Sequence, residues 1–98
     1  MKVLFIFGTR PEAIKLAPLI EEFQKFKEKF QVKVCITAQH REMLDQVMTF
    51  FNIHADYDLN LMRANQSLTD IAGRCLTKLG EVVDDFAPDL IIVQGDTL

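Results

Sequence analysis

The stretch VLFIFGTRPE, residues 3–12, decides the fold. Its first half is a continuous run of β-branched, aromatic and aliphatic residues closed by Gly8, which is typical of a parallel strand buried on both faces. Its second half signals a helix start, because Thr9 and Glu12 have capping-box spacing and Pro11 suits a first helical turn. The stretch therefore predicts a buried strand that leads directly into a helix.

Strand and helix patterns alternate along the rest of the chain. Apolar residues at helical spacing from Leu16 to Phe30 predict a first helix of roughly four to five turns. Further on, the patterns predict strands at residues 32–37, 57–62 and 90–93 and helices at residues 41–51 and 68–86, the last with a capping pair at Ser67 and Asp70. This alternation predicts an α/β fold, an open parallel sheet with right-handed crossovers.

Composition and charge narrow the class of protein. The 98 residues suffice for one domain at most, and no repeat, linker or low-complexity segment divides them. The 11 basic and 14 acidic side chains are mixed along the chain and give a net charge of −3. Nucleic-acid binding needs a concentrated basic surface, so this composition disfavours it but allows a local basic pocket for one phosphorylated ligand.

Other features favour a cytoplasmic protein without a membrane partner. The apolar residues before Gly8 are too few for a secretory signal or a membrane span. Cys35 and Cys75 lie inside predicted secondary structure and share no metal-ligand spacing, so we expect buried free thiols in a reducing compartment. His54 also has no partner at metal spacing, and we expect it to be structural.

The last predicted strand, residues 90–93, has the composition of a fully buried strand. A buried parallel strand needs helices over both faces, yet the sequence predicts no helix after it. We therefore expect residues 1–98 to form part of a domain that further segments or partners complete.

Two loops are candidate ligand sites: residues 8–12 after the first strand and residues 94–97 after the fourth. Ligands of open α/β sheets bind beyond the carboxyl ends of the strands, near the point where the strand order reverses. In the doubly-wound order the first and fourth strands are neighbours at that point. We therefore expect the two loops to face one crevice.

The first loop has the chemistry of an anion site. Its backbone N–H groups lie at a helix start, Gly8 permits close approach of a ligand, and Arg10 and Lys15 supply cations. An ordinary helix start with solvated Arg10 and Lys15 explains the same residues equally well. Binding of a nicotinamide dinucleotide is disfavoured, because the loop lacks the spacing G-x-G-x-x-G and no acidic residue closes the second strand.

The second loop places Asp96 next to Gly95, just after a strand. A carboxylate there serves as a general acid or base, as an acceptor for a ligand hydroxyl or as a metal ligand. A helix N-cap is the alternative, and the residues alone favour it. Gln39 and His40 follow the second strand on the same side of the sheet, although a polar loop leading into a helix explains them as well.

Four segments together resemble the non-hydrolysing UDP-N-acetylglucosamine 2-epimerases. They are FGTRPEAIK at residues 7–15, TAQHREMLDQV at 37–47, DYDLNLM at 56–62 and GDT at 95–97, in the order of that family. The resemblance implies an enzyme with two Rossmann-like domains of the GT-B kind and an active site in the cleft between them. It implies that residues 1–98 form about the first half of the amino-terminal domain.

The resemblance also implies a reaction. UDP-GlcNAc and UDP-ManNAc are interconverted by anti elimination of UDP to a bound 2-acetamidoglucal and by re-addition, and no metal or other cofactor takes part. The family implies a cytoplasmic enzyme of cell-envelope polysaccharide biosynthesis, commonly a homodimer. The alternatives are a hydrolysing epimerase that releases free ManNAc and a non-catalytic nucleotide-sugar-binding fragment. We expect no turnover by residues 1–98 alone, because other catalytic positions of the family follow them.

The resemblance implies roles for individual residues at the positions that match the family's motifs. Arg10 and Lys15 match family positions that meet the nucleotide diphosphate of the substrate, and Lys15 and Asp96 match positions needed for catalysis. Gln39 and His40 match the region in which some bacterial members bind a second UDP-GlcNAc as an activator.

The chain departs from the family pattern at two positions. Asn65 stands where the activated members carry Arg, so the resemblance supports the regulatory site less strongly than the catalytic one. Gln94 stands where a His is common before the GDT segment, which touches no implied catalytic role.

Overall fold

The computed structural model describes residues 1–37, 41–59 and 67–93. Within them the elements are, in chain order, β1 (Lys2–Phe7), α1 (Arg10–Gln24), β2 (Gln31–Ile36), α2 (Arg41–Phe50), β3 (Tyr57–Asp58), α3 (Leu68–Phe86) and β4 (Leu90–Val93). The strands form a parallel sheet in the order β3-β2-β1-β4. The predicted α/β fold is confirmed, and β1 and β4 are neighbours as expected.

Helices cover both faces of β1. Successive side chains of a strand point to opposite faces, and Leu4 and Phe5 are both fully buried. Phe5 belongs to the core formed with α1 and α2, whereas Leu4 packs with Val82 and Phe86 of α3. Burial of one such side chain stabilises the fold by about 1.5–3 kcal/mol. The unbroken apolar run of β1 is therefore explained by two separate cores, one on each face.

The first helix ends earlier than its apolar spacing predicts. α1 has 15 residues, or about four turns, so its predicted length is confirmed, but it does not extend to Phe30 because the chain turns after Gln24 to enter β2. The Phe30 ring packs edge-on against Phe23 at 4.8 Å between centroids, and Phe23 packs in the same way against Phe5 at 5.7 Å. Phe26 is 47% exposed. The spacing of these aromatic residues matches that of a helix, but Phe30 contacts Phe23 by tertiary packing after the helix has ended.

The remaining bounds follow the sequence prediction closely. β2 lies one residue earlier than predicted at both ends, α2 ends one residue earlier than predicted, and α3 and β4 have the predicted bounds. β3 is the start of the predicted third strand, whose residues 60–62 lie outside the described part of the chain. At the start of α3, the Ser67 hydroxyl accepts the Asp70 N–H at 3.1 Å.

The predicted full burial of β4 is wrong. Leu90, Ile91 and Val93 are 40, 44 and 58% exposed, while Ile92 packs against the core that α1 and α2 cover. β4 pairs with β1 along one side, and among the described residues no second strand lies along its other side. Within the same residues, no helix is long and apolar enough to cross a membrane.

Candidate functional site

The carboxyl ends of three strands meet at one edge of the sheet. Phe7 of β1 lies opposite Ile36 of β2, and Ile6 lies opposite Val93 of β4. The Thr37 N–H donates to the Phe7 carbonyl at 3.0 Å, which continues this pairing past the end of β2. The ends of β1, β2 and β4 therefore lie side by side, as a ligand site at the switch point requires.

Three of the predicted site residues lie beyond the described part of this edge. Gln39 and His40 fall in residues 38–40, and Asp96 falls in residues 94–98, which are outside the described residues. Their roles stay predictions. Arg10 and Lys15 are described, and both lie on the first two turns of α1.

The Glu12 carboxylate fills the turn between β1 and α1. Its Oε1 accepts the Thr9 N–H at 3.1 Å, the Gly8 N–H at 3.3 Å and the Thr9 hydroxyl at 2.8 Å. The predicted pairing of Thr9 with Glu12 is confirmed. The expectation that the N–H groups of this loop face an external anion is wrong for Gly8 and Thr9, because the carboxylate one turn further on already occupies them.

Arg10 is an exposed cation at this edge. In the part of the chain that the structure describes, no residue forms a hydrogen bond or an ion pair with its guanidinium. Arg10 lines an open cavity of about 360 Å³ between α1 and α2, together with Ile14, Gln46, Val47 and Phe50. An exposed guanidinium without a carboxylate partner is available to a phosphate or carboxylate ligand.

Lys15 is also exposed, but it does not point in the same direction as Arg10. The two residues are five positions apart, which places them roughly 140° apart around the axis of a helix with 3.6 residues per turn. They therefore flank the start of α1 on different sides.

The profile of the family described as UDP-N-acetylglucosamine 2-epimerase matches residues 22–98. The chain belongs to this epimerase family. A UDP-N-acetylglucosamine 2-epimerase of Neisseria meningitidis is 60% identical over 97 residues, and one of Salmonella typhimurium is 58% identical over 97 residues. Both matches cover 99% of this chain and 26% of the relative, so the chain spans about a quarter of the length of these curated relatives.

Solved structures of epimerases share the fold. The crystal structure of the Neisseria meningitidis UDP-GlcNAc 2-epimerase bound to UDP-GlcNAc matches with a TM-score of 0.89 at 60% identity, over 99% of this chain and 26% of that one. The Methanocaldococcus jannaschii epimerase in complex with UDP-GlcNAc and UDP matches with a TM-score of 0.87 at 31% identity, over 99% and 26%. The Rossmann-like parallel sheet of the GT-B class that the motifs imply is thus confirmed.

The cysteines of this epimerase-family chain are free thiols, as predicted. Cys35 of β2 is fully buried in the core that α3 covers, and burial, with the neighbouring Cys75 and Asp58, raises the pKa of its thiol to about 12. Burial also raises the pKa of the half-buried Cys75. A thiol is nucleophilic as the thiolate, so neither cysteine has the character of a catalytic nucleophile. Among the described residues, no three His, Cys, Asp or Glu side chains form a group able to hold a metal ion.

The sequence prediction missed the apolar surface beside Arg10. Phe50 is 82% exposed and Ile14 is 42% exposed, and both line the cavity between α1 and α2. A signal was present in the adjacent pair Phe50 and Phe51, because neighbouring residues of a helix lie about 100° apart, so two such large side chains rarely both point to the centre of the core. Phe51 packs against the core and Phe50 does not.

Proposed function

We propose that the intact protein is a non-hydrolysing UDP-N-acetylglucosamine 2-epimerase that interconverts UDP-GlcNAc and UDP-ManNAc. The observation that carries this proposal is the match of nearly the whole chain, at 60% identity, to an epimerase whose crystal structure contains UDP-GlcNAc. We assign residues 1–98 to the first half of the amino-terminal domain of a two-domain enzyme. The active site is proposed to lie between this domain and a second one.

In the proposed mechanism, a base removes the proton at C2 of the sugar while UDP departs from C1 on the opposite face. The electron pair of the C2–H bond forms the C1–C2 double bond of a 2-acetamidoglucal, and the electron pair of the C1–O bond leaves with UDP. Re-addition of UDP at C1 and delivery of a proton to the other face of C2 give the epimer. Every step is redox-neutral, so the reaction needs no nicotinamide, and following the family resemblance the proposal includes no metal or other cofactor.

Arg10, Lys15 and Asp96 are the residues of this chain to which we assign roles. Negative charge grows on the diphosphate as UDP departs, and preplaced cations stabilise that charge more strongly in the transition state than in the ground state. The guanidinium of Arg10 is exposed at the carboxyl edge of the sheet and has no partner among residues 1–37, 41–59 and 67–93, which supports such a contact with substrate. Lys15 is proposed both to bind the diphosphate and to act in catalysis, and Asp96 to act as a catalytic carboxylate.

Further roles follow from membership of the family. Gln39 and His40 are proposed to contribute to a regulatory site for a second UDP-GlcNAc. We also propose that the intact enzyme is a cytoplasmic homodimer in cell-envelope polysaccharide biosynthesis, with UDP-sugars as its partners and neither nucleic acid nor a membrane among them.

The experiment that tests the proposal is turnover of UDP-GlcNAc by the intact enzyme in deuterated water, followed by proton NMR. We expect UDP-ManNAc to appear with deuterium at C2, because the abstracted proton is replaced from solvent. Release of free ManNAc with UDP would identify a hydrolysing epimerase instead, and binding without either product would identify a nucleotide-sugar-binding protein.

Two matched preparations sharpen this test. We expect Asp96→Asn to lose most of the activity and to keep its affinity for UDP, since the substitution removes the acid–base function but little volume. Normal turnover by Asp96→Asn contradicts the catalytic assignment. Residues 1–98 alone are expected to show no epimerisation, and measurable turnover by them contradicts the proposed division of the active site.

A further inference from the structure

The Glu12 carboxylate makes more contacts than a helix cap requires. A capping box needs one bond from the N3 side chain to the backbone N–H of the N-cap residue, here Thr9. The same Oε1 atom of Glu12 also accepts the Gly8 N–H at 3.3 Å and the Thr9 hydroxyl at 2.8 Å. At the start of α3, by contrast, the cap consists of the Ser67 hydroxyl accepting the Asp70 N–H.

These contacts fix both residues that join β1 to α1. Gly8 is buried, and Thr9 has extended backbone angles, φ −126° and ψ 162°, immediately before the helix. Since Arg10 follows Thr9 directly, the direction in which its side chain leaves the sheet edge depends on the orientation of this turn. The Thr9 carbonyl also accepts the Ala13 N–H at 3.0 Å, so the same residue links the turn to the first turn of α1.

The carboxylate also determines what an incoming anion meets at this end of α1. The N–H groups of Gly8 and Thr9 are directed to Glu12, and Pro11 has no N–H to offer. A diphosphate at this edge therefore meets the side-chain cations Arg10 and Lys15 rather than the amides of Gly8 and Thr9. The placement of these two side chains then decides how well the departing diphosphate is stabilised.

We infer that Glu12 is a positioning residue of the active site: its carboxylate holds the turn at Gly8 and Thr9 so that Arg10 and Lys15 are presented to the diphosphate. This role rests on the proposed function. It goes beyond the helix cap, because it concerns the rate of the reaction as well as the stability of α1.

The test uses the intact enzyme and compares Glu12→Ala with Ser67→Ala, which removes the side-chain cap of α3 and leaves the turn after β1 untouched. Kinetic constants are measured per folded molecule, with the folded fraction determined by circular dichroism. We expect Glu12→Ala to lower kcat/KM for UDP-GlcNAc by about 10- to 100-fold, the loss that small misplacement of a reacting group produces. Ser67→Ala is expected to keep wild-type kcat and KM.

Glu12→Gln keeps an acceptor oxygen in the turn without its charge, and it protects the test against an alanine variant that does not fold. Charge-assisted hydrogen bonds are roughly twice as strong as neutral ones, so we expect its kcat/KM to lie between those of the wild type and Glu12→Ala. Affinity for UDP, measured by calorimetry, is expected to fall in the same order.

Three results would overturn the inference. Wild-type kinetic constants in both Glu12 variants would show that Glu12 only caps α1 and does not affect the reaction. Tighter binding of UDP by Glu12→Ala shows that the carboxylate competes with the ligand for the Gly8 and Thr9 amides. Absence of epimerase activity in the wild-type enzyme refutes the proposed function itself, and the role of Glu12 with it, before any variant is compared.

Discussion

Ile6 of β1 lies directly opposite Val93 of β4 in the parallel register of the sheet. The turn at Gly8 and Thr9 therefore leaves the sheet beside the point where β4 ends. The loop that carries Arg10 and the segment that leads to Asp96 start from adjacent positions, although they are more than 80 residues apart in the sequence. This pairing of β1 with β4 supports the proposal that the two segments contribute to one site.

The first prediction concerns Arg10 and binding of the nucleotide. We expect Arg10→Ala in the intact enzyme to weaken binding of UDP by about 10- to 100-fold, because a hydrogen bond to a charged group contributes about 1.5–3 kcal/mol. Calorimetric titration with UDP measures the change. The control is Lys27→Ala, which removes one positive charge from an exposed position after the end of α1. Equal affinities of the two variants would mean that Arg10 acts only through net charge.

Most strands and helices are predicted well from the sequence, because each is marked by residues within or next to it. The apolar run closed by Gly8 determines β1, and the cap at Ser67 determines the start of α3. The strand order follows from general rules of α/β folds. The observed pairing of β1 with β4 therefore agrees with an expectation drawn from the alternation of strands and helices alone.

The sequence predictions fail where contacts between distant segments determine the structure. The aromatic spacing at the end of α1 is compatible with a helix, and only the packing of Phe30 on Phe23 shows that the chain has already turned. The exposure of Val93 depends on which strands and helices lie beside β4, which the composition of that strand does not encode. The sequence also marks Glu12 as a capping residue, but it does not show that one carboxylate oxygen accepts three donors.

A second prediction concerns the end of α3. Ala87 adopts left-handed backbone angles, φ 50° and ψ 60°, where an L-residue with a Cβ is disfavoured by about 1–2 kcal/mol per residue. Ala87→Gly relieves this strain but adds freedom to the unfolded chain, so we expect the free energy of unfolding to rise by about 0.5–1 kcal/mol. Urea unfolding measures the gain as a higher midpoint with an unchanged slope.

Asn52 provides the matched comparison for Ala87. It also has a left-handed backbone, with φ 55°, but Asn tolerates this conformation better than Ala does. We therefore expect Asn52→Gly to stabilise the protein less than Ala87→Gly. A larger gain at Asn52, or a loss at Ala87, would show that backbone strain does not control these two helix ends.

The last prediction concerns the hydrogen bond between β3 and α3. The Tyr57 hydroxyl donates to Asp85 Oδ2 at 2.6 Å, and this bond, with a smaller contribution from burial and from the charges of Asp85 and Asp56, raises the pKa of Tyr57 to about 12. The protonated phenol is the donor, so its contribution to stability is complete below the unfolded-state pKa of about 10. It is lost as the pH rises from about 10 through the folded-state value of about 12.

Tyr57 is the only tyrosine, and the chain has no tryptophan, so ultraviolet absorbance of tyrosinate reports this residue alone in residues 1–98. We expect the absorbance of the folded chain to titrate with a midpoint near pH 12. Asp85→Asn is expected to lower this midpoint towards the ordinary tyrosine pKa of about 10. Asp84→Asn removes the same charge from an exposed neighbouring position that makes no bond to Tyr57, and it is expected to leave the midpoint nearly unchanged. Equal shifts of the midpoint in the two variants would mean that the negative charge of α3 as a whole raises the pKa of Tyr57. The hydrogen bond between Tyr57 and Asp85 would then not be the cause.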